Sequence, residues 1–501
     1  MNTSPETVFI RCDAGTSLGM GHLVRCLSLA HMLKKYFNIQ FIVQETEEAV
    51  YEWIHQEGFS FLTIKRCAEI SEDCNETVRL VKEVSNGSSI VVLDGYHFKT
   101  EYQQHVKEHN LSVVCIDDLH EWHHVADAII NHAPGISPSA YNTVKNTRLL
   151  LGTSYALLRP EILQAAKGKR ETKPVQSFLV SMGAADSDNC TLFFAELLIE
   201  NFSSAHVHLL VSSLNPHLET IRAFATSHPE NVSLHINLNT AELIRQIEQC
   251  EVVICPASTI SLEACAIGCT LVTGYTAANQ LGILAGLTQC EAALSLGYFQ
   301  TLTKQAARES IESLVINNSA REQQLTNQRC LIDGKSPLRI ARAFLEIQRK
   351  ANCRPAMEED AKQIFEWAND PGVRANSFQS DIIPWENHLA WYHRALNSEQ
   401  IIFLMYEVNH LPAAQIRLTK EGYTATISYS VDSAFRGKGL GTWLLQHIAL
   451  HVRLEYPGIE ILQGWVKTSN TASIRAFQRA GFILSEELDD RVLFKLKLDS
   501  L

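Results

Sequence analysis

The chain of 501 residues contains no basic run, no CxxC pair, no internal repeat at solenoid spacing and no low-complexity tract. Its net charge of −12 argues against a nucleic-acid or anionic-membrane partner, while leaving room for a small anion in one local positive pocket. The 13 cysteines are odd in number and scattered, in a chain too large to need disulfide staples. They are expected as reduced thiols packed as small hydrophobes. The most apolar neighbourhood, Val252 to Tyr275, is cut by Pro256, Glu263 and several Gly, Ser and Thr residues, which suits a buried strand–helix–strand better than a membrane span. The first residues, Met1-Asn2-Thr3-Ser4-Pro5-Glu6, offer neither a cationic nor an apolar signal region, so a secretory signal is not expected and a cytoplasmic location is. A hydrophobic content of 46% with 20% charged residues is that of a globular protein, and the length suggests about three folding units.

What the chain does contain is alternation. Val8-Phe9-Ile10 leads through a loop into a helix with Leu23, Leu27 and Ala30 on one face. Phe41-Ile42-Val43, Ile90-Val91-Val92-Leu93, Ser112-Val113-Val114-Cys115-Ile116 and Ala128-Ile129-Ile130 follow at βα spacing. After the polar stretch Lys167 to Lys173 a second series brings Phe178-Leu179-Val180, His208-Leu209-Leu210-Val211, Val252-Val253-Ile254-Cys255 and Leu271-Val272-Thr273. Such runs are what strands covered on both faces require, and βαβα order predicts parallel sheets wound by helices. The expected class is α/β, with two Rossmann-like lobes over residues 1–165 and 174–348 and a cleft between them. From Cys353 the pattern changes. Helical segments Glu358 to Trp367 and Glu386 to Leu396 precede strands at Ile401 to Glu407, Ala413 to Leu418 and Thr424 to Val431, the last alternating at period two. Residues 353–501 are expected to form a separate α+β domain.

Arg436-Gly437-Lys438-Gly439-Leu440-Gly441 follows that last strand and opens a helix whose apolar face is Leu440, Leu444, Ile448 and Val452. Glycines let the backbone approach an anion, and a helix N-terminus supplies unpaired N–H groups and a positive dipole end. The spacing fits neither a P-loop nor a GxGxxG fingerprint. Downstream come Gly464-Trp465-Val466-Lys467-Thr468-Ser469-Asn470-Thr471-Ala472-Ser473, then Arg475-Ala476-Phe477 and Ala480-Gly481-Phe482. In this order the motifs resemble the GCN5-related N-acetyltransferases (GNAT). The resemblance implies acetyl-CoA as cosubstrate and direct attack of a primary amine on its thioester. It implies backbone contacts from Val431, a pyrophosphate cradle formed by Arg436, Gly437, Lys438, Gly439, Leu440 and Gly441, and Asn470 and Ser473 flanking the cofactor. Many members carry a tyrosine acid on the last helix. Here that position is Phe477, which has no proton to give, so the acid stays open between Tyr429, another residue and unaided departure of the thiolate.

Near the N-terminus, Arg11-Cys12-Asp13-Ala14-Gly15-Thr16-Ser17-Leu18-Gly19-Met20-Gly21-His22 lies where the first strand passes into the first helix. In a wound α/β sheet that turn faces the ligand crevice. Gly19 and Gly21 permit close approach, and His22 in the first helical turn is expected to stay neutral and able to accept a proton. Further along come Leu93-Asp94-Gly95-Tyr96, Ile116-Asp117-Asp118, Gly152 to Arg159, Ser181-Met182-Gly183-Ala184-Ala185-Asp186, Ala257-Ser258-Thr259-Ile260-Ser261-Leu262-Glu263 and Ala277-Ala278-Asn279-Gln280. Taken in order, they resemble the UDP-sugar hydrolases of pseudaminic acid biosynthesis, relatives of GT-B glycosyltransferases, over most of residues 7 to 290.

The resemblance implies a GT-B-like arrangement of the two lobes and hydrolysis of UDP-2,4-diacetamido-2,4,6-trideoxy-β-L-altropyranose by inverting C–O cleavage. His22 is the expected base for water, with Gly21 beside it and Tyr96 a sugar contact. Gly183, Ala184 and Asp186 are expected at the UDP diphosphate, Ser258 at a phosphate, Glu263 at the ribose hydroxyls, and Asn279 and Gln280 at phosphate or sugar. His120, His123, His124 and His132 match no zinc spacing, and no metal is expected. Adjacent Asp117 and Asp118 point apart on an extended chain, so one of them is expected to bond loop N–H groups. Together the two resemblances imply a bifunctional enzyme whose GNAT domain acetylates the 4-amino group of the precursor UDP-sugar. The rivals are a GT-B glycosyltransferase fused to an acetyltransferase of another amine, and a nucleotide-sugar sensor that binds without turnover.

Overall fold

A computed structural model describes residues 6–15, 20–67, 69–85, 89–166, 168, 170–183 and 186–498. The chain divides into two compact units, Met1–Ile340 and Ala341–Leu501.

The first unit holds two doubly wound sheets. One contains β1 (Thr7–Cys12), β2 (Asn38–Gln44), β3 (Ser60–Ile64), β4 (Ile90–Asp94), β5 (Ser112–Ile116), β6 (Ala128–Asn131) and β7 (Arg148–Leu151) in the spatial order β3-β2-β1-β4-β5-β6-β7. Every pairing in it is parallel. Its central strands are fully covered, as continuous runs such as Val8-Phe9-Ile10 and Val91-Val92 require, and helix α1 (Gly21–Leu33) buries Leu23, Leu27 and Ala30 against them. The other sheet contains β8 (Ser177–Ser181), β9 (His206–Val211), β10 (Val232–Ile236), β11 (Val252–Pro256), β12 (Thr270–Tyr275) and β13 (Leu294–Tyr298), ordered β10-β9-β8-β11-β12-β13 and again parallel. Helix α2 (Cys190–Asn201) follows β8, and α3 (Thr259–Ile267) follows β11.

In each sheet the strand order reverses beside the first strand. The loops leaving β1 and β4, and likewise those leaving β8 and β11, turn to opposite faces and open a crevice at the strand C-termini. His22 and Tyr96 stand at the first of these switch points, Gly183 and Ser258 at the second. The lobes meet through Asn279 and Tyr96, 3.0 Å apart, and through Arg159 and Glu263, 2.7 Å apart.

The division between the units falls inside helix α4 (Ser336–Arg349), which the sequence pattern associates with the second lobe. Its C-terminal half belongs to the second unit because Leu345 O accepts from Trp443 Nε1 (3.0 Å) and Glu346 meets His447 Nε2 (2.9 Å). That unit is a mixed sheet of β14 (Ala351–Pro355), β15 (Ile401–Val408), β16 (Leu411–Glu421), β17 (Thr424–Val431), β18 (Ile461–Lys467), β19 (Ile483–Glu487) and β20 (Arg491–Lys497). The order is β14-β15-β16-β17-β18-β20-β19, antiparallel except between β17 and β18. Helices Ala361–Ala368 and Trp385–Leu396 precede β15, α5 (Leu440–Glu455) joins β17 to β18, and α6 (Thr471–Arg479) follows β18. Among the described residues no helix is long and apolar enough to cross a membrane.

Candidate functional site

Helix α1 begins with no side-chain cap and no acidic residue in its first turn, so its free N–H groups and positive end face the crevice above β1. No atom would meet a Cβ at Gly21, which leaves the approach open. His22 stands beside it, and its Nδ1 lies 2.7 Å from Asp94 Oδ1. Asp94 ends β4 and is 1% exposed. Arg25, one turn along α1, clamps the same carboxylate through Nη2 to Oδ1 (2.5 Å) and Nε to Oδ2 (2.8 Å), and Cys26 Sγ adds a contact of 3.2 Å. Burial alone would push Asp94 upward, but the charges and hydrogen bonds of Arg25 and His22 hold it well below the usual carboxylate range. An ionised carboxylate only accepts. The shorter contact, to Asp94, puts the His22 proton on Nδ1 and leaves Nε2 as the acceptor, so Arg25 Nη2, 3.0 Å from the same nitrogen, is a neighbour and not a donor to it.

Around this pair the structure gathers residues from both lobes. The Tyr96 ring meets the His22 ring edge-on at 5.1 Å. The Tyr96 hydroxyl donates toward Asp118 Oδ2 (3.4 Å) and accepts from Asn279 Nδ2 (3.0 Å). Burial, with Asp118 nearby, pushes this phenol up to about 12. Arg25 Nη1 reaches Asp118 Oδ2 at 2.9 Å, while Asp118 Oδ1 is buried and has no hydrogen-bond partner. Asp117 turns the other way and accepts from the His120 backbone N–H (2.8 Å). Asp94 and Asp118 lie in segments that carry the resemblance, and Arg25 lies in the helix that carries His22, but none of the three is assigned a role beside His22 from sequence. Only the placement of Asp94 and Asp118 at the ends of adjacent strands hints at them.

The second switch point is less uniform than the sequence implies. Gly183 has φ +84 with empty space where a Cβ would lie, as close backbone approach to a ligand requires. Ala184 lies outside the described residues. Asp186 caps α2 with both oxygens, accepting from the Cys190 (2.8 Å) and Thr191 (3.1 Å) N–H groups, so its carboxylate holds the turn together instead of facing the crevice. Ser258 precedes α3, whose N-terminus has no side-chain cap. Glu263, expected at the ribose hydroxyls, is already paired. It is 3% exposed, and its two oxygens each receive Arg159 at 2.7 Å. Gln280 uses its oxygen within its own loop, accepting from Thr276 N (2.8 Å). Asn279 reaches the cleft and Gln280 Oε1 does not.

A cavity of about 280 Å³ opens at the ends of β1 to β3, lined in part by Asp13, Glu45, Glu47 and Arg66. Three carboxylates against one guanidinium make it a poor cradle for a diphosphate. Among the described residues no group of three or more His, Cys, Asp or Glu could hold a metal.

In the second unit, β17 and β18 pair only from Thr424–Ile461 to Thr426–Gln463, although both strands run on. Beyond Thr426 they part, which frees backbone groups along the gap. Gly437 (φ +74) and Gly439 (φ +78) shape the turn into α5, whose N-terminus has no side-chain cap, and Lys438, Leu440 and Gly441 complete it. Backbone N–H groups at an uncapped helix start of this kind are suited to an anion. The side chains of the turn have partners within this unit. Arg436 folds back, giving Nε to Val431 O (2.9 Å) and Nη2 to Asp370 (2.8 Å), so it braces the turn and occupies the Val431 carbonyl. Lys438 Nζ donates to Ala434 O. Asn470 caps α6 by accepting from Ser473 N (3.1 Å), and Ser473 Oγ meets the Tyr429 hydroxyl (3.1 Å). Phe477 is buried against Phe494 and Phe482.

Comparison with known proteins follows the same division. Residues 361–482 match the acetyltransferase (GNAT) family model. The chain is 28% identical over 261 residues to the UDP-2,4-diacetamido-2,4,6-trideoxy-β-L-altropyranose hydrolase of Campylobacter jejuni, covering 51% of this chain and 87% of that protein. It is 24% identical over 341 residues to the spore coat polysaccharide biosynthesis protein SpsG of Bacillus subtilis, covering 66% and 96%. An uncharacterized protein of Methanocaldococcus jannaschii matches 95% of the chain, and 96% of its own length, at 20% identity. A solved spermidine N-acetyltransferase from Vibrio cholerae, in complex with CoA and spermine, covers 30% of this chain and 95% of its own at 12% identity and a TM-score of 0.28. The chain thus joins a segment similar to a UDP-sugar hydrolase to a C-terminal GNAT acetyltransferase domain.

Proposed function

We propose that the first unit hydrolyses a UDP-linked diacetamido-trideoxy sugar at its anomeric carbon, and that the second acetylates the 4-amino group of the precursor UDP-sugar with acetyl-CoA. The observation that carries the first half is the Asp94–His22 pair facing a two-lobed crevice. His22 Nε2 takes a proton from water as the water oxygen bonds to C1, and the C1–O bond breaks with its electron pair leaving on UDP. UDP is a good leaving group, so no strong acid is demanded, and base assistance contributes about 10²–10⁴-fold. Free N–H groups of the first turn of α3 and the open turn at Gly183 hold the diphosphate. Tyr96 and Asn279, joined across the lobes, contact the sugar.

In the second unit the turn Gly437 to Gly441 fits a pyrophosphate through backbone N–H groups, and the parted strands offer pantetheine its hydrogen bonds. Acetyl-CoA supplies the activated acyl group. The acceptor nitrogen attacks the thioester carbonyl, the C–S bond breaks with its electron pair on the CoA sulfur, and the proton shed by the nitrogen ends on that thiolate.

Incubation with acetyl-CoA and the UDP-4-amino sugar tests the whole reading by mass spectrometry. The nucleotide sugar gains one acetyl group, then UDP and free sugar are released with no added acceptor. Release of UDP only when a second sugar or amine acceptor is supplied would favour a glycosyltransferase, and binding without product would favour a sensor.

A further inference from the structure

Arg417 lies on β16 opposite Ser428 of β17, and its guanidinium carbon sits 5.0 Å from the centre of the Trp391 ring. Its Nε is buried with no hydrogen-bond partner. Burial pushes this guanidinium down from its ordinary value, and no carboxylate opposes the effect. Several semi-buried arginines of the chain carry carboxylate partners, as Arg25 does in Asp94 and Asp118, Arg159 in Glu263 and Arg354 in Asp360 and Glu407. A desolvated cation without a counter-charge is costly unless a ligand brings one.

The neighbours share this incompleteness. Gln415, two residues earlier on the same face, gives Nε2 to Ser430 Oγ (3.1 Å), while its buried Oε1 has no partner. Ser428 is exposed. Ser428 and Ser430 both lie beyond Thr426, on the stretch of β17 that has parted from β18. The Phe403 and Trp391 rings mark this as the sheet face covered by helix Trp385–Leu396. Tyr429, between the two serines, points to the opposite face, where it meets Ser473 of α6. One face of the opening therefore carries a guanidinium whose Nε has no partner, an unpaired amide oxygen, hydroxyls and an indole.

A guanidinium fork with these neighbours matches phosphate oxygens on an acceptor whose hydroxyl or amide N–H groups reach Gln415. We propose that Arg417, backed by Trp391 and flanked by Gln415 and Ser428, binds the diphosphate of the amine acceptor, so that the acetyltransferase selects nucleotide-linked over free amino sugars. This rests on the nucleotide-sugar reading above and assigns that substrate its site.

The test uses the full chain carrying His22→Ala, so that hydrolysis does not consume the acceptor, and follows thiol release. The acceptors are the UDP-linked 4-amino sugar and the same amino sugar without UDP. Arg417→Met is expected to raise KM for the UDP-linked acceptor by about ten- to a hundredfold, with KM for acetyl-CoA and for the free sugar within about twofold. Arg417→Lys, which keeps the charge without the fork, is expected to fall between. Wild-type-like KM in Arg417→Met, or equal loss on both acceptors, would overturn the assignment alone. Transfer to neither acceptor before Arg417 is altered would overturn the nucleotide-sugar reading, and this assignment with it.

Discussion

Asp94 Oδ1 and His22 Nδ1 lie 2.7 Å apart although 72 residues separate them in the chain. Two adjacent strands of the first sheet deliver them: β1 leads into the helix that carries His22, and β4 ends on Asp94. Arg25 shares the same oxygen and keeps the carboxylate charged. The imidazole is thereby held with one nitrogen donating inward and the other free toward the crevice.

Asp94→Asn removes the charge and lets the ring choose its tautomer. UDP release is expected to slow by about 10²–10⁴-fold. Arg25 would be left with Asp118 alone, at a cost of about 3 kcal/mol in urea unfolding. An unchanged turnover rate would show that Asp94 serves stability only.

Tyr96→Phe keeps the edge contact with His22 but deletes the hydroxyl between Asp118 and Asn279. KM for the UDP-sugar is expected to rise about tenfold, the effect of one lost hydrogen bond to a charged network, with a smaller change in kcat. A pure kcat effect at constant KM would instead make the phenol part of the chemical step.

His132 is buried, its Nδ1 accepts from Leu157 N (3.3 Å), and burial lowers its pKa to about 4. The unfolded chain has a histidine near 6.5 and so takes up the proton first as the solution is acidified. This contribution to stability is present above about pH 6.5 and is lost as the pH falls toward 4, amounting to about 2 kcal/mol at pH 5. Urea midpoints measured from pH 7 to 5 should fall, and His132→Asn, which keeps an acceptor for Leu157, should fall less steeply.

Gly464 faces Phe477 across the second unit, and a Cβ there would lie 2.4 Å from the ring tip. Phe477 is walled in by Phe482 and Phe494 and has no room to retreat. Gly464→Ala is expected to destabilise this unit by about 1–3 kcal/mol. Differential scanning calorimetry would show it as a shift of one transition, with acetyl transfer lost before UDP release.

The parts of the fold legible in the sequence are local. Apolar runs, the glycine turn before α5 and the His22 turn each need only a strand, a loop and a helix in succession. Asp94 was visible as a strand end but not as the partner of His22, because the neighbours of β1 depend on sheet order and not on proximity in sequence. The intramolecular partners of other site side chains were hidden for a related reason. Glu263 meets Arg159 from 104 residues away, and Arg436 and Asn470 satisfy backbone groups of their own turns. A motif locates the turn, but hydrogen-bond accounting decides whether its side chains or its backbone face the ligand.

The most direct test of the account is hydrolysis in ¹⁸O-labelled water, with UDP examined by mass spectrometry. Attack at C1 by water readied at His22 leaves UDP unlabelled, and His22→Ala slows release by at least about 10²-fold. Label in the β-phosphate of UDP, or release by His22→Ala at the undiminished rate, would contradict it.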